Sequence, residues 1–210
     1  MLELFYSPGA CSLAAHVLLE ELGLPYEAKA VSLKDGAHKQ PAFLAINPRG
    51  KVPALRIESG EILTENPVIL SYLASLAPRG DLVPEGAFAQ VRALQYASYL
   101  SSEAHPAFAR LYMPGRYSGD AAHADAIRET ARRDYLESLQ TFQAMLPAEG
   151  PYVFGERFTW IDPLVHVFYT WAKYVELDVA SLGRLRGLSA AVSARPATRR
   201  ALVAEGMIAG

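Results

Sequence analysis

The period of the apolar positions changes several times along the chain, and each change marks an element. Residues 2–6, Leu-Glu-Leu-Phe-Tyr, alternate in character and carry β-favouring aromatics, which predicts a short strand. A turn containing Ser7-Pro8-Gly9-Ala10-Cys11-Ser12 follows, and then the helical run Leu13, Ala14, Ala15, His16, Val17, Leu18 and Leu19, closed by Gly23 with Pro25 just beyond. Residues 26–33 read as a second strand, which makes a β-α-β unit whose two strands lie parallel through a right-handed crossover. Beyond the polar loop 34–40 the pattern gives a short helix at 41–46, a turn at Asn47-Pro48-Arg49-Gly50 and a strand at 52–57, with Pro53 tolerated near its start. A hairpin turn at 58–61 leads to a strand at 62–64. Asn66 is then expected as N-cap and Pro67 as first residue of a helix carrying Val68, Ile69, Tyr72, Leu73 and Leu76. The order is βαβαββα within about 77 residues.

The texture then changes. Residues 77–86 hold two prolines and two glycines with little apolar periodicity, so a linker is expected at 79–86, between a first domain (1–78) and a second (87–210). The second domain is all helix. A long pattern over 87–112 is expected to kink at Pro106, and 120–146 forms another long helix. Thr159 with Asp162 three positions on is a capping-box variant, which makes Asp162 a capping residue rather than a catalytic acid. The helix that it opens is apolar nearly all round and therefore buried; two more helices follow at 185–194 and 197–205, separated at Pro196.

Composition narrows the function classes. A chain of 210 residues with 51% hydrophobic and 20% charged residues belongs among soluble globular proteins. A net charge of −2 offers no basic footprint for nucleic acid or for an anionic membrane, and no apolar run approaches the roughly 20 residues that cross a bilayer. One cysteine cannot form an internal disulfide, and the start Met1-Leu2-Glu3 lacks the pattern of a signal peptide, so a cytoplasmic location is expected.

That cysteine, Cys11, sits at a helix start, where unpaired N–H groups and the macrodipole favour a thiolate. Free cysteine is also a common small core residue, so a reactive thiol and a buried filler both fit the local pattern.

Taken together, these residues resemble a family. A βαβαββα domain opening on Tyr6-Ser7-Pro8-Gly9-Ala10-Cys11-Ser12, with Asn47-Pro48 and Gly50, Val52-Pro53 and Leu55, then Thr64-Glu65-Asn66, joined to an all-helical domain, is similar to the cytosolic glutathione S-transferases. The segment around Cys11 is most similar to the bacterial beta class, and the likeness runs on to Arg195-Pro196 and Ala204-Glu205-Gly206. The resemblance implies a thioredoxin-like first domain, glutathione as co-substrate, no metal, a small hydrophobic electrophile as second substrate bound by the helical domain, and a homodimer. It also implies a cis-proline at Pro53 whose neighbour Val52 pairs with the cysteinyl backbone of glutathione, as an added strand would. Glu65 and Asn66 then match the γ-glutamyl site; His38, Lys39 and Lys51 match the site of the glycine carboxylate, with Lys34 a weaker candidate. Cys11 matches the residue beside the glutathione sulfur, with Ser12 and Tyr6 near the hydroxyl positions that steady the thiolate in other classes. Ser102, Glu103 and His105 match a segment that approaches the sulfur from the helical domain.

Phe108, Tyr112 and Tyr169 are the candidates for the second-substrate pocket; Tyr96, Tyr99, Tyr117 and Trp171 are read as core or interface. The sequence departs from the beta-class pattern at Pro106, Ser98 and Asn66. Isomerase, dehalogenase and ether-cleaving chemistry on the same scaffold are alternatives to conjugation, as is a non-catalytic binding role. The thiol also suggests disulfide exchange with glutathione. The apolar stretch 91–100 is the expected dimer contact.

Overall fold

Strand β1 (Leu2–Tyr6) is the one on which the first part of the chain is built. The computed structural model describes residues 1–78 and 80–210; Arg79, first residue of the expected linker, lies outside them. β1 has β2 (Tyr26–Ala30) parallel on one side and β3 (Ala54–Arg56) antiparallel on the other, with β4 (Ile62–Thr64) antiparallel to β3, giving the order β2-β1-β3-β4. Leu4 faces Ala28 across one ladder and Leu55 across the other. The period-2 alternation splits β1 cleanly. Leu2, Leu4 and Tyr6 join the large core with Leu55, whereas Phe5 joins Val31, Phe43 and Ala54 in a small separate one.

Helix α1 (Leu13–Leu22) explains its own apolar run: Leu13 to Leu19 are all buried, because α1 packs on β1, on α3 (Asn66–Ser75) and on two helices from the far end of the chain. Gly23, at φ 63°, returns its N–H to the Leu19 carbonyl and ends it as expected. The short α2 (Pro41–Leu44) supplies Phe43 to the small core.

After α3 the residues are helical, apart from turns and isolated bridges at residues 152–157. These are α4 (Ala87–Tyr99), α5 (His105–Tyr112), α6 (Ala124–Met145), α7 (Asp162–Tyr174), α8 (Gly183–Ser193) and α9 (Pro196–Ala204). Helices α7 and α9 are the two that reach back to α1, so one apolar core runs from Leu2 to Ala201. The linker stretch is stitched to that core: Trp160 donates to the Leu82 carbonyl at 2.9 Å, and Arg157 donates to the Gly80 carbonyl at 2.9 Å.

The structure corrects several boundaries. β2 ends at Ala30 rather than at 33, because Val31 gives the last bond to the Tyr6 carbonyl and Ser32 then turns the chain toward Asp35. β3 starts at Ala54, since Pro53 has no N–H for the ladder. The N-cap of α3 is Glu65, and Asn66 is the first helical residue. The long helix over 87–112 is broken before Pro106, by a π-helical turn at Leu100–Ala104, after which Pro106 sits in the first turn of α5, where its missing N–H does no harm. At Asp162 only half of the capping box forms. Its carboxylate accepts from the Thr159 N–H and hydroxyl (2.7 and 3.0 Å) and from the Val153 N–H (2.7 Å), so Thr159 donates to Asp162 instead of capping the helix.

Candidate active site around Cys11

The turn between β1 and α1 is closed by one side chain. The Ser12 hydroxyl accepts from the Ser7 N–H and donates to the Ser7 carbonyl, both at 3.2 Å, and is fully buried. Its one donor and one of its two acceptor sites are thus engaged within the turn. Tyr6 points to the α1 face of the sheet, with its ring 5.1 Å from that of His16, and is part of the core.

Cys11 behaves differently. Its thiol is buried and donates to the Val52 carbonyl at 3.5 Å, next to the cis Val52–Pro53 peptide that the resemblance implied. Burial pushes this thiol up to about 11, against a hydrogen bond from Asn66 and the backbone N–H groups of the helix start, which pull it down. The helix start is therefore too weak to make a thiolate here. Desolvation wins, and Cys11 is a neutral S–H donor.

Around Val52 the chain folds tightly. Asn47 ties the turn through its side chain, donating to the Lys51 carbonyl (2.7 Å) and accepting from the Arg49 N–H (3.1 Å). Gly50 takes φ 59°, and a Cβ there would lie 2.6 Å from the His38 carbonyl and 3.0 Å from the Lys39 ammonium nitrogen. His38 and Lys39 thus lie against residue 50. His38 is buried, with Nδ1 lacking a partner among the described residues; burial lowers its basicity, and the charges of Lys39 and Arg116 add to the effect. On the other side of Cys11, Glu65 stands at φ 68°, a conformation rare outside glycine, and its half-exposed carboxylate pairs with Arg49. The Oδ1 atom of the buried Asn66 has no partner among the described residues.

His105 opens α5 directly after the π-helical turn, which re-aims the helix at that point. Its ring meets Trp171 and Phe168 edge-on at 5.1 and 5.8 Å. Burial lowers it to about 4, with Lys51 contributing, so it is a neutral imidazole at pH 7. Ser102 and Glu103 lie on the π-helical turn, exposed, and neither side chain has a hydrogen-bond partner among the described residues.

Residues 9–76 match the family model for the glutathione S-transferase N-terminal domain. The chain is 32% identical over 208 residues to the glutathione S-transferase GstA of Escherichia coli O157:H7, a match covering 98% of this chain and 100% of that one. The chain belongs to the glutathione S-transferase family. A glutathione transferase homologue from Sulfitobacter, solved with bound glutathione, superposes with a TM-score of 0.90 at 31% identity over 99% of both chains. The bacterial beta-class glutathione S-transferase of Sphingomonas chungbukensis superposes at 0.84 with 35% identity, over 98% of this chain and 100% of that one.

Of the family's expected second-substrate residues, Phe108 is stacked between neighbours, 4.1 Å from Trp171 and 5.5 Å from Tyr112. Tyr112 is the exposed rung of that ladder and meets Tyr174 edge-on at 6.0 Å. Tyr169 is buried in the core and presents almost no free surface. Trp171, read from sequence as core or interface, is buried in the core, and its indole N–H donates to the Gly9 carbonyl at 2.8 Å. Among the described residues no group of three or more His, Cys, Asp or Glu side chains is arranged to hold a metal ion, and no helix is long and apolar enough to cross a membrane.

Proposed function

We propose that this family member conjugates glutathione to small hydrophobic electrophiles, with residues 1–78 holding glutathione and residues 87–210 holding the second substrate. The observation that carries this reading is the Cys11 thiol on the Val52 carbonyl, with unpartnered buried polar atoms on His38 and Asn66 in the segments around it. Glutathione would lie extended along Val52. Its glycine carboxylate would meet His38, Lys39 and Lys51, and its γ-glutamyl end would meet Glu65 and Asn66.

Its sulfur would lie near Cys11, where a neutral S–H can turn from the Val52 carbonyl to the incoming sulfur and stabilise it as a thiolate. The glutathione proton leaves to solvent. The thiolate then attacks the electrophilic carbon, a C–S bond forms, and the leaving group departs with its bonding pair. His105, neutral and aromatic-packed, would shape the site beside the sulfur rather than supply a positive charge. Tyr112 is the exposed aromatic surface for a flat acceptor.

Disulfide exchange is the weaker activity on this geometry. With the thiol at about 11, only about one part in ten thousand is thiolate at pH 7, and the thiolate is the attacking species. A homodimer formed through the exposed apolar face of α3 and α4, and a cytoplasmic location, complete the proposal.

Titration calorimetry with reduced glutathione tests the reading directly. Saturable heat is expected, lost on Val52→Pro, which removes the N–H available to an added strand. Absence of heat up to 10 mM ligand (on the order of a 3 kcal/mol binding limit) would overturn it in favour of a non-glutathione binding role.

A further inference from the structure

The Gly9 peptide, two residues before Cys11, is held from both sides by the far end of the chain. Its N–H donates to Glu205 Oε2 at 2.8 Å, and its carbonyl accepts from Trp171 Nε1 at 2.8 Å. Glu205 caps the C-terminus of α9 and its carboxylate is fully shielded from solvent. Its second oxygen is fixed as well. Oε1 bonds His16 Nδ1 at 2.9 Å, His16 Nε2 bonds the Tyr26 hydroxyl at 3.0 Å, and Tyr26 donates to Glu20, which Arg200 of α9 also grips at 2.6 Å. The circuit therefore starts and ends on α9 and passes through α1 and β2. Met207 closes over the same spot, since a Cβ on Gly9 would lie 3.1 Å from its Cε.

We infer that Glu205 is a positioning residue for the glutathione-sulfur site: with Trp171 it clamps the Gly9 peptide and so fixes where the Cys11 thiol stands. Within the turn itself, the Ser7 to Ser12 bonds and the Ala10 to Ser7 backbone bond close the loop on itself but tie it to nothing outside. The left-handed φ of 68° at Gly9 is what turns its N–H and carbonyl outward to the two helices. A buried carboxylate is a demanding choice for such a clamp, and its two bonded partners on Gly9 and His16 are what make it tolerable. The consequence for turnover rests on the reading of Cys11 as neighbour of the glutathione sulfur.

The single cysteine gives a clean readout. Alkylation of Cys11 by iodoacetamide at pH 8 without glutathione, followed by intact mass well below the melting temperature, measures how often the turn opens. Glu205→Ala is expected to speed labelling on the order of tenfold, since the hydrogen bond from the Gly9 N–H no longer holds the closed state. Glu205→Gln, whose amide oxygen still accepts from Gly9, should return the rate close to that of the parent. Arg195→Ala, which breaks the pair with Glu21 on the other side of α1, controls for general loosening and should leave labelling unchanged.

Labelling of Glu205→Ala at the parent rate overturns the inference, as does equal acceleration in Arg195→Ala or no rescue by glutamine. If Glu205→Ala fails to fold, Trp171→Phe removes only the indole donor; faster labelling then supports the clamp and the parent rate overturns it. The glutathione reading fails separately, as an absence of protection of Cys11 by glutathione in the parent protein, which leaves the ligand-free comparison intact.

Discussion

The Cys11 thiol donates to the Val52 carbonyl across 41 residues of sequence, 3.5 Å from sulfur to oxygen, and the pair joins the helix start to the backbone beside the cis-proline. Burial keeps the proton on sulfur. Alkylation of Cys11 should therefore rise by roughly tenfold per pH unit between about pH 8 and 10, without the plateau of a low-pKa thiol. The sign for stability follows from the raised value. The folded state holds the proton more tightly than the unfolded chain, so this group's contribution is complete below about pH 9 and declines as pH climbs toward 11. Cys11→Ser should flatten that decline in melting scans.

Glu65 pairs a binding role with a strained backbone, and the two can be separated. Glu65→Gly removes the carboxylate and also the penalty of φ 68°. Stability should stay level or rise by about 1 kcal/mol, the strain released being offset in part by the flexibility of glycine. The KM for glutathione should rise at least tenfold for loss of one charged hydrogen bond. A fall in melting temperature together with an unchanged KM would assign Glu65 to the fold alone.

Burial lowers His105 and His166 to about 4. Folded protein thus binds fewer protons at these sites than the unfolded chain, so their contribution is complete above about pH 6.5 and is lost as pH falls toward 4. Together they should make acid unfolding steep over that window, by a few kcal/mol. His166→Gln should soften the slope in denaturant titrations at pH 4.5 and 7, because the one side-chain hydrogen bond of His166 among the described residues is to Ser189 through Nδ1, at 2.8 Å. The activity profile should show no inflection near pH 6.5 from His105.

Asp162 works in the opposite sense. Burial raises its carboxyl to about 6, so its protonated form favours the fold below about pH 4 and that contribution is gone once pH passes 6. At neutral pH the carboxylate remains because three donors from Thr159 and Val153 converge on it. Asp162→Asn would turn an N–H group toward one of those donors and should cost about 2 kcal/mol or more, read as a lower denaturation midpoint at pH 7.

The sequence carried the sheet, the turn at Cys11 and the place of Pro53, because strand alternation, turn residues and helix stops are local signals. What it could not carry is long-range. Helix-start electrostatics at Cys11 are local, but the burial that overrides them comes from packing far along the chain. The bonds of the Ser12 hydroxyl to Ser7 and the packing of Tyr6 on the α1 face of β1 are likewise set by the folded turn and core, not by local pattern. Nothing near Glu205 or Trp171 hints that both reach Gly9, 196 and 162 residues away. The π-helical turn before His105 was equally hidden, since the apolar spacing of α4 and α5 continues through it.

The exposed side of α4 supports the last prediction. Ala93, Tyr96, Ala97 and Leu100 point into the chain's own core, so the stretch 91–100 cannot serve whole as a dimer contact. The residues left outside are Phe88, Val91 and Leu94 on α4 with Val68 on α3, and Phe88 and Val91 are 74% and 63% exposed. Four large apolar side chains on two helices packed side by side form a patch of the kind that self-association covers. Sedimentation at micromolar concentration should show a dimer in which this face is buried. Val91→Lys should shift it to monomer while changing monomer stability by less than about 0.5 kcal/mol, because the side chain touches little of its own subunit. A parent protein that sediments as a monomer, or a Val91→Lys variant that stays dimeric, would place the contact elsewhere or remove it.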